Sequence, residues 1–173
     1  MILKLTFILG AAASGKSVFA EQVVMRTGAP RVYIATSQAY DEEMKEKIAR
    51  HQVQRGADWR TMECPYDLSS ALAEVRVEEV VLVDCATMWL SNHLLSEGDI
   101  EALTAELLEA LARCKGRVVV VSNEVGMGIV PENALARRFR NAQGKLNQEL
   151  ARAADTVVLV AAGLPLALKG ELP

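Results

Sequence analysis

Cysteine pairs, long basic runs and aromatic side chains are all scarce in this 173-residue chain. Its three cysteines, Cys64, Cys85 and Cys114, lie far apart and form no C-x-x-C pair. We therefore expect neither a zinc centre nor a disulfide framework, and we predict a protein of the reducing cytoplasm. The net charge of −3 and the lack of a basic run argue against a nucleic-acid partner.

Long hydrophobic segments are also missing. The longest late apolar tract, 157–168, contains Gly163 and Pro165 and is too short to cross a bilayer. The first 13 residues could pass for the core of a signal peptide, but we expect them to form a strand and a ligand-binding loop instead. We predict no membrane span.

The core must come from small aliphatic residues, because about half of the chain is apolar while aromatic residues make up only 5%. Such a composition is typical of α/β proteins with buried parallel strands. The chain has no internal repeat and no linker-like stretch, and its length suits one domain. We predict a single domain over residues 1–173.

Val-rich runs alternate with helical patterns, which predicts a mostly parallel sheet with helices on both faces. In such folds ligands bind at the carboxyl ends of the strands. The predicted strands are Leu3–Leu9, Arg31–Ala35, Trp59–Glu63, Val80–Asp84, Arg117–Ser122 and Thr156–Ala161. The predicted helices are Lys16–Arg26, Asp41–Arg55, Asp67–Ala73, Thr87–Leu95, Ile100–Cys114 and Asn133–Ala154.

One segment after the first strand matches the phosphate-binding pattern G-x-x-x-x-G-K-S. Its residues are Gly10, Ala11, Ala12, Ala13, Ser14, Gly15, Lys16 and Ser17. A strand, a Gly-bounded loop and a helix N-terminus together attract anions, because backbone N–H groups and the helix dipole favour negative charge there. We expect Lys16 to reach the β- and γ-phosphates of a nucleotide and the Ser17 hydroxyl to hold Mg²⁺. The alternative, an ordinary Gly-rich turn, leaves the lysine unexplained.

Asp84 ends the apolar run 80–83, where a carboxylate commonly completes a phosphate-loop site by binding Mg²⁺ directly or through water. The alternative is a cap for the following helix.

His51 shares one face of the predicted helix 41–55 with Met44, Ile48 and Arg55. By pattern alone, a histidine on such a face is usually packed or capping. A neutral imidazole is nevertheless a good nucleophile toward phosphorus near pH 7, and Arg55 could neutralise phosphate charge. Both readings stay open at this point.

The segment 123–132 breaks the helical and strand patterns with two glycines and a proline. It lies where α/β proteins bind ligands, although a plain connector is the alternative. Arg137, Arg138 and Arg140 follow it, and they could contact phosphate, solvent or another subunit. His93 receives no role.

With these segments identified, nearly the whole chain resembles the bifunctional adenosylcobinamide kinase / adenosylcobinamide-phosphate guanylyltransferase family. Four blocks carry the resemblance in order, of which the last is the most specific. They are the phosphate loop 10–17; residues 33–38 followed by Asp41, Glu43, Met44, Ile48, His51 and Arg55; residues 59–63 leading to Asp84; and residues 123–132 followed by Ala136, Arg137, Phe139, Arg140 and Asn147.

The resemblance implies two reactions. A γ-phosphoryl group moves from ATP or GTP to adenosylcobinamide, and GMP then moves from GTP to the resulting phosphate. It also implies that His51 carries GMP as a covalent phosphoramidate, and that Ser37, Gln38 and Glu63 contact guanine or ribose beside Arg55. Finally, it implies a recombinase-like phosphate-loop fold and a homotrimer with the active site near a subunit interface.

The chain departs from the family pattern at three positions. Ala11 stands where relatives have a second glycine, Ala13 where they have arginine, and Asp84 where many have glutamate. We expect phosphate binding to survive, since Gly10, Gly15, Lys16 and Ser17 remain. A simple phosphate-loop kinase without guanylyl transfer, or a non-catalytic nucleotide-binding regulatory protein, are the alternatives.

Overall fold

The computed structural model describes residues 3–38 and 58–173. Within these ranges seven strands and five helices follow one another. The strands are β1 (Leu5–Gly10), β2 (Arg31–Ala35), β3 (Trp59–Glu63), β4 (Val80–Asp84), β5 (Arg117–Asn123), β6 (Thr156–Ala161) and β7 (Leu164–Lys169). The helices are α1 (Lys16–Met25), α2 (Leu68–Ala73), α3 (Ala86–Leu95), α4 (Ile100–Arg113) and α5 (Ala134–Ala153).

All strands belong to one sheet in the order β3-β2-β4-β5-β1-β6-β7. Every neighbouring pair is parallel except β6 and β7, which are antiparallel. Because side chains alternate along a strand, Phe7 and Ile8 of β1 point to opposite faces. Phe7 packs under α2 to α5, whereas Ile8 packs under α1. The prediction of a mostly parallel sheet covered on both faces is confirmed.

Four predicted strands have the observed bounds, and the helix ends differ by one residue. The first strand was placed too early: it begins at Leu5, where pairing with Val118 starts, while Leu3 is 47% exposed. It also extends to Gly10, and β5 extends to Asn123. The helix predicted over 41–55 lies outside the described residues.

Strand β7 was not predicted. The apolar tract 157–168 is two antiparallel strands joined by the turn Ala162–Gly163. Pro165 weakened the strand pattern, yet proline is tolerated on an edge strand, where one side of the backbone has no partner strand. The turn reverses the chain within two residues because both backbones adopt positive φ, 53° and 78°.

Candidate active site

The carboxyl ends of the central strands bring three predicted features to one edge of the sheet. Gly10 of β1 lies opposite Asn123 of β5, and Asp84 of β4 lies opposite Val121 of β5. Strand β5 therefore separates the strand that leads into the phosphate loop from the strand that carries Asp84. The loop, the carboxylate and the start of segment 123–132 are neighbours, as the sequence predicts.

The glycines that bound the phosphate loop are required by close approach and by backbone conformation. A β-carbon on Gly10 would lie 2.4 Å from Ser14 Oγ and 2.6 Å from the Val160 carbonyl oxygen. Gly15, the N-cap of α1, has φ 90°, a conformation that costs little only for glycine. A side chain is therefore excluded at Gly10 by the lack of space and is strained at Gly15 by the backbone conformation.

The two alanines that depart from the family pattern differ in backbone strain. Ala13 has φ 56°, a left-handed conformation that costs an L-residue about 1 kcal/mol. Ala11 is not among the described residues with positive φ, so its methyl group adds no backbone strain. Both side chains are on the exposed side of the loop. The loop thus forms with alanine at these positions.

Lys16, at the first residue of α1, is only 9% exposed. Its ammonium donates a hydrogen bond to the Ala11 carbonyl oxygen at 3.1 Å, across the loop. The Ser14 N–H reaches the same carbonyl at 3.2 Å. A buried ammonium is costly unless it is paired, so this loop concentrates positive charge beside the N-terminus of α1. The half-buried Ser17 follows on the same turn.

The carboxylate of Asp84 is held by a residue that sequence reasoning missed. Tyr33 of β2 donates its hydroxyl hydrogen bond to Asp84 Oδ2 at 2.8 Å. The signal was a tyrosine in an otherwise apolar strand, because a buried phenol needs a polar partner. Tyr33 thus fixes one carboxylate oxygen of Asp84.

Cys85 follows Asp84 and is buried beside it. Burial raises the pKa of its thiol to about 11, helped by the negative charge of Asp84 and opposed in part by the charge of Lys16. The thiol is therefore protonated at neutral pH and is a poor nucleophile.

The donor set fits Mg²⁺ bound mainly by substrate phosphates and water. Such sites need only one or two protein oxygens, and Ser17 supplies a hydroxyl and Asp84 a carboxylate. Asn123 Oδ1, at the same sheet edge, is buried with no hydrogen-bond partner in the described chain. Residues 3–38 and 58–173 contain no group of three His, Cys, Asp or Glu that could hold a metal by itself.

A buried polar network below this edge was also missed, although Asn147 was noted in the resemblance. Gln143 Nε2 donates to Ser122 Oγ and to Asn147 Oδ1, each at 2.9 Å, and Ser122 Oγ donates to Asn147 Oδ1 at 2.7 Å. Asn147 Nδ2 and Thr87 Oγ1 then bind the backbone of Asn123. The signal was two amide side chains four residues apart on the inner face of a helix.

Other predicted residues are spread along the edge. Ser37 and Gln38 are half-buried just after β2, and Glu63 is exposed at the end of β3, opposite Ala35. Glu63 is four strands from Gly10, roughly 19 Å at the usual strand spacing. It lies too far away to touch phosphates in the loop. His51 and Arg55 lie outside the described residues.

Segment 124–132 is held by hydrogen bonds at both ends. The Arg137 guanidinium donates to the Pro131 carbonyl at 3.0 Å and to the Glu132 carbonyl, while the Glu124 carboxylate accepts from the Gly126 N–H. The segment exposes Met127, Ile129 and Val130 by 84%, 96% and 60%. Its ligand-binding role stays a prediction, and Arg137 is engaged with backbone.

His93 has a structural environment. Its ring packs edge-on against Tyr66 and Trp89 at centroid distances of 5.4 and 4.8 Å. Its Nε2 lies 3.2 Å from the Tyr66 carbonyl oxygen. The ring is thus packed within this aromatic cluster.

Comparison with known proteins decides between the functions that such a site permits. Residues 6–168 match the sequence model of the family described as cobinamide kinase / cobinamide phosphate guanyltransferase. The chain belongs to this family. The sequence resemblance is thereby confirmed, and this member of the cobinamide kinase / guanyltransferase family is a nucleotide-using transferase of cobalamin biosynthesis.

Relatives of the family match over nearly their full length. The bifunctional adenosylcobalamin biosynthesis protein CobP of Pseudomonas aeruginosa is 45% identical over 95% of this chain and 96% of its own. The corresponding CobU proteins of Salmonella typhimurium and Escherichia coli are 43% and 40% identical, each over 94% of this chain and 98% of its own.

Solved structures agree on the fold alone. The flagellar accessory protein FlaH of Methanocaldococcus jannaschii matches with a TM-score of 0.53 at 16% identity, over 96% of this chain and 78% of its own. The RadB recombinase matches with 0.53 at 18% identity, over 90% and 73%. The recombinase-like phosphate-loop fold predicted from sequence is confirmed. Across residues 3–38 and 58–173, no helix combines the length and the apolar character that crossing a bilayer requires.

Proposed function

We propose that this protein catalyses both family reactions at the sheet edge that carries the phosphate loop. The observation that supports this most strongly is the buried Lys16 facing Ala11 across a tightly packed glycine-bounded loop, with Asp84 at the end of a nearby strand. Phosphoryl and nucleotidyl transfer both need positive charge and oriented N–H groups around a triphosphate.

In the kinase reaction, the aminopropanol hydroxyl of adenosylcobinamide attacks the γ-phosphorus of ATP or GTP. A new P–O bond forms, the bond to the β-phosphate oxygen breaks, and the hydroxyl proton is released. Lys16 and the amides at the start of α1 stabilise the charge that develops on the phosphate oxygens. Ser17 and Asp84 would hold Mg²⁺, which supplies charge neutralisation on the β- and γ-phosphates when bound.

In the guanylyl reaction, a ring nitrogen of His51 attacks the α-phosphorus of GTP and pyrophosphate leaves. A phosphate oxygen of adenosylcobinamide phosphate then attacks the same phosphorus, the P–N bond breaks, and adenosyl-GDP-cobinamide forms. Two in-line displacements replace one difficult step. Cys85 is buried, with 9% of its surface exposed, which supports histidine over this cysteine as the nucleophile.

The spread of the remaining residues suggests how GTP lies. Ser37 and Gln38 follow β2, and Glu63 ends β3. Both strands lie on the other side of the Asp84 strand from the phosphate loop. We propose that these three residues contact guanine or ribose, with Arg55, when the nucleotide extends along the sheet edge from the phosphate loop toward β3. By resemblance we also propose a homotrimer in the cytoplasm.

The covalent step is tested with GTP labelled at the α-phosphate. Wild-type protein and Mg²⁺ should retain label after denaturation, in an adduct that is labile to acid and stable to alkali. His51→Ala should retain none. His93→Gln is the matched control, because the chain has two histidines and His93 packs against Trp89 and Tyr66. It should label like wild type.

Three outcomes would contradict parts of this proposal. Label in His51→Ala places the nucleophile elsewhere. A wild-type protein that takes no label but phosphorylates adenosylcobinamide with ATP is a simple kinase. A protein with neither activity that binds GTP tightly is a regulatory nucleotide-binding protein.

A further inference from the structure

The turn between β6 and β7 lies directly against the phosphate loop. The Gly163 N–H donates a hydrogen bond to the Ser14 carbonyl oxygen at 2.8 Å. A β-carbon on Gly15 would lie only 3.1 Å from Gly163 Cα. The other loop glycine, Gly10, meets β6 itself at the Val160 carbonyl. The hairpin of β6 and β7 thus supports the loop from behind.

The hydrogen bond from Gly163 determines where the next amide points. In a trans peptide the C=O and N–H groups point in opposite directions, and the Ser14–Gly15 bond is not the cis bond of the described chain. Because the Ser14 carbonyl points at Gly163, the Gly15 N–H points away from the hairpin. The amides of such a loop bind phosphate on the side that faces the ligand, and the proposed function places the ligand on the side away from the hairpin.

Closing the hairpin does not by itself require this contact. In a two-residue turn the hydrogen bond that closes the chain runs between the flanking residues, Ala161 and Leu164. The Gly163 N–H is therefore available for another acceptor. Ala162 nevertheless adopts φ 53°, which is unfavourable for alanine. Such a conformation persists where the surrounding structure holds it in place. The hydrogen bond to Ser14 helps to hold this turn.

We propose that Gly163 is a positioning residue for triphosphate binding. Its N–H holds the Ser14–Gly15 peptide so that the Gly15 N–H faces the phosphates. This inference rests on the proposed phosphate-binding role of the loop.

The test removes the Gly163 donor and leaves every side chain unchanged. Gly163 is replaced by glycolic acid in cell-free translation, which turns the 162–163 amide into an ester and deletes the N–H. The same exchange at Gly28 is the matched control. Gly28 also has positive φ, 65°, and its N–H also donates one backbone bond, to Met25 at 3.2 Å, but at the far end of α1.

Both esters should lower stability in urea by similar amounts, since each loses one backbone hydrogen bond. The ester at 163 should weaken binding of the non-hydrolysable analogue GMPPNP by about threefold to tenfold, which corresponds to the net free energy of one hydrogen bond. The ester at 28 should change it less than twofold. With turnover, the KM for GTP should rise at 163, while the KM for adenosylcobinamide stays unchanged.

Genetic variants give a second measurement. Gly163→Ala should weaken GMPPNP binding more than Gly28→Ala, although neither β-carbon would meet a neighbour within 4 Å. Gly163→Asn should recover part of the loss, because asparagine tolerates positive φ. Equal affinities for the two esters would overturn the inference. A wild-type protein that does not bind GMPPNP would instead overturn the proposed function.

Discussion

Lys16 combines burial with a positive charge, and its position follows from its place in the helix. Lys16 is the first residue of α1, where a helix has no preceding turn to accept its backbone hydrogen bonds, and its side chain crosses the loop to the Ala11 carbonyl. Its place in the phosphate-loop pattern predicts that this buried charge faces a triphosphate.

Replacing Lys16 by alanine should slow both reactions by about 100- to 1000-fold, the usual effect of deleting one group that stabilises transition-state charge. The measurement is kcat for phosphorylation of adenosylcobinamide and for guanylyl transfer. Lys115→Ala is the control, because Lys115 is exposed at the start of β5 and away from the strand ends that carry the site. Wild-type rates in Lys16→Ala would remove the phosphate-loop assignment.

Residue patterns predicted the loop because its glycines obey a spacing that backbone geometry imposes. They did not predict the bond from Tyr33 to Asp84 or the bond from Gly163 to Ser14. Those contacts join positions that are 51 and 149 residues apart. Only the strand order brings them together, and a local pattern carries no information about it.

Among the elements, α5 shows how a helix can support the edge of a sheet from below. It begins at an N-cap, Asn133, whose side chain accepts from the Ala136 N–H. Its inner face then places Gln143 and Asn147 under the end of β5, where they hold Ser122 and the Asn123 backbone. This network fixes the point at which the chain leaves the sheet beside the phosphate loop.

Asn147→Ala should destabilise the protein by about 1–3 kcal/mol, because it leaves Ser122 and Gln143 buried with fewer partners. Urea unfolding followed by circular dichroism measures this difference. Asn141→Ala is the control on the same helix, since Asn141 is exposed, and it should change the unfolding free energy by less than about 0.5 kcal/mol. Equal losses would mean that the network contributes no net stability.

The sequence predicted strands well where their apolar residues form long runs. The Val-rich runs of β4, β5 and β6 are nearly continuous and therefore point to buried parallel strands. The last strand escaped prediction because Pro165 interrupts its alternating leucines. Leu164, Leu166 and Leu168 are 72%, 58% and 55% exposed, so burial, the usual reason for such a pattern, does not apply within one subunit.

For the whole molecule, the fold sets the distances that the two reactions must bridge. The phosphate loop follows β1, the fifth strand of the seven-stranded sheet, and Glu63 lies on β3 at an outer edge. Family resemblance predicts a homotrimer whose active site lies near a subunit interface. A closed assembly of that kind gives each subunit the same environment.

Sedimentation equilibrium should therefore give a mass about three times the 18.8 kDa of one chain. The measurement is made over a range of protein concentrations, with and without GTP. A mass of one chain at every concentration would contradict the homotrimer, while leaving the loop chemistry untouched.

The antiparallel hairpin has two ends with different attachments. Its closed end carries Gly163. At its open end, the Lys169 ammonium donates hydrogen bonds to the carbonyls of Arg152 and Ala151, at 3.0 and 3.3 Å, in the last turn of α5. Strand pairs separate most readily from their outer ends. Lys169 therefore holds the open end of the hairpin against α5, so that thermal opening of the edge strand does not begin there readily. Amide protons at the far tip should then exchange with deuterium slowly.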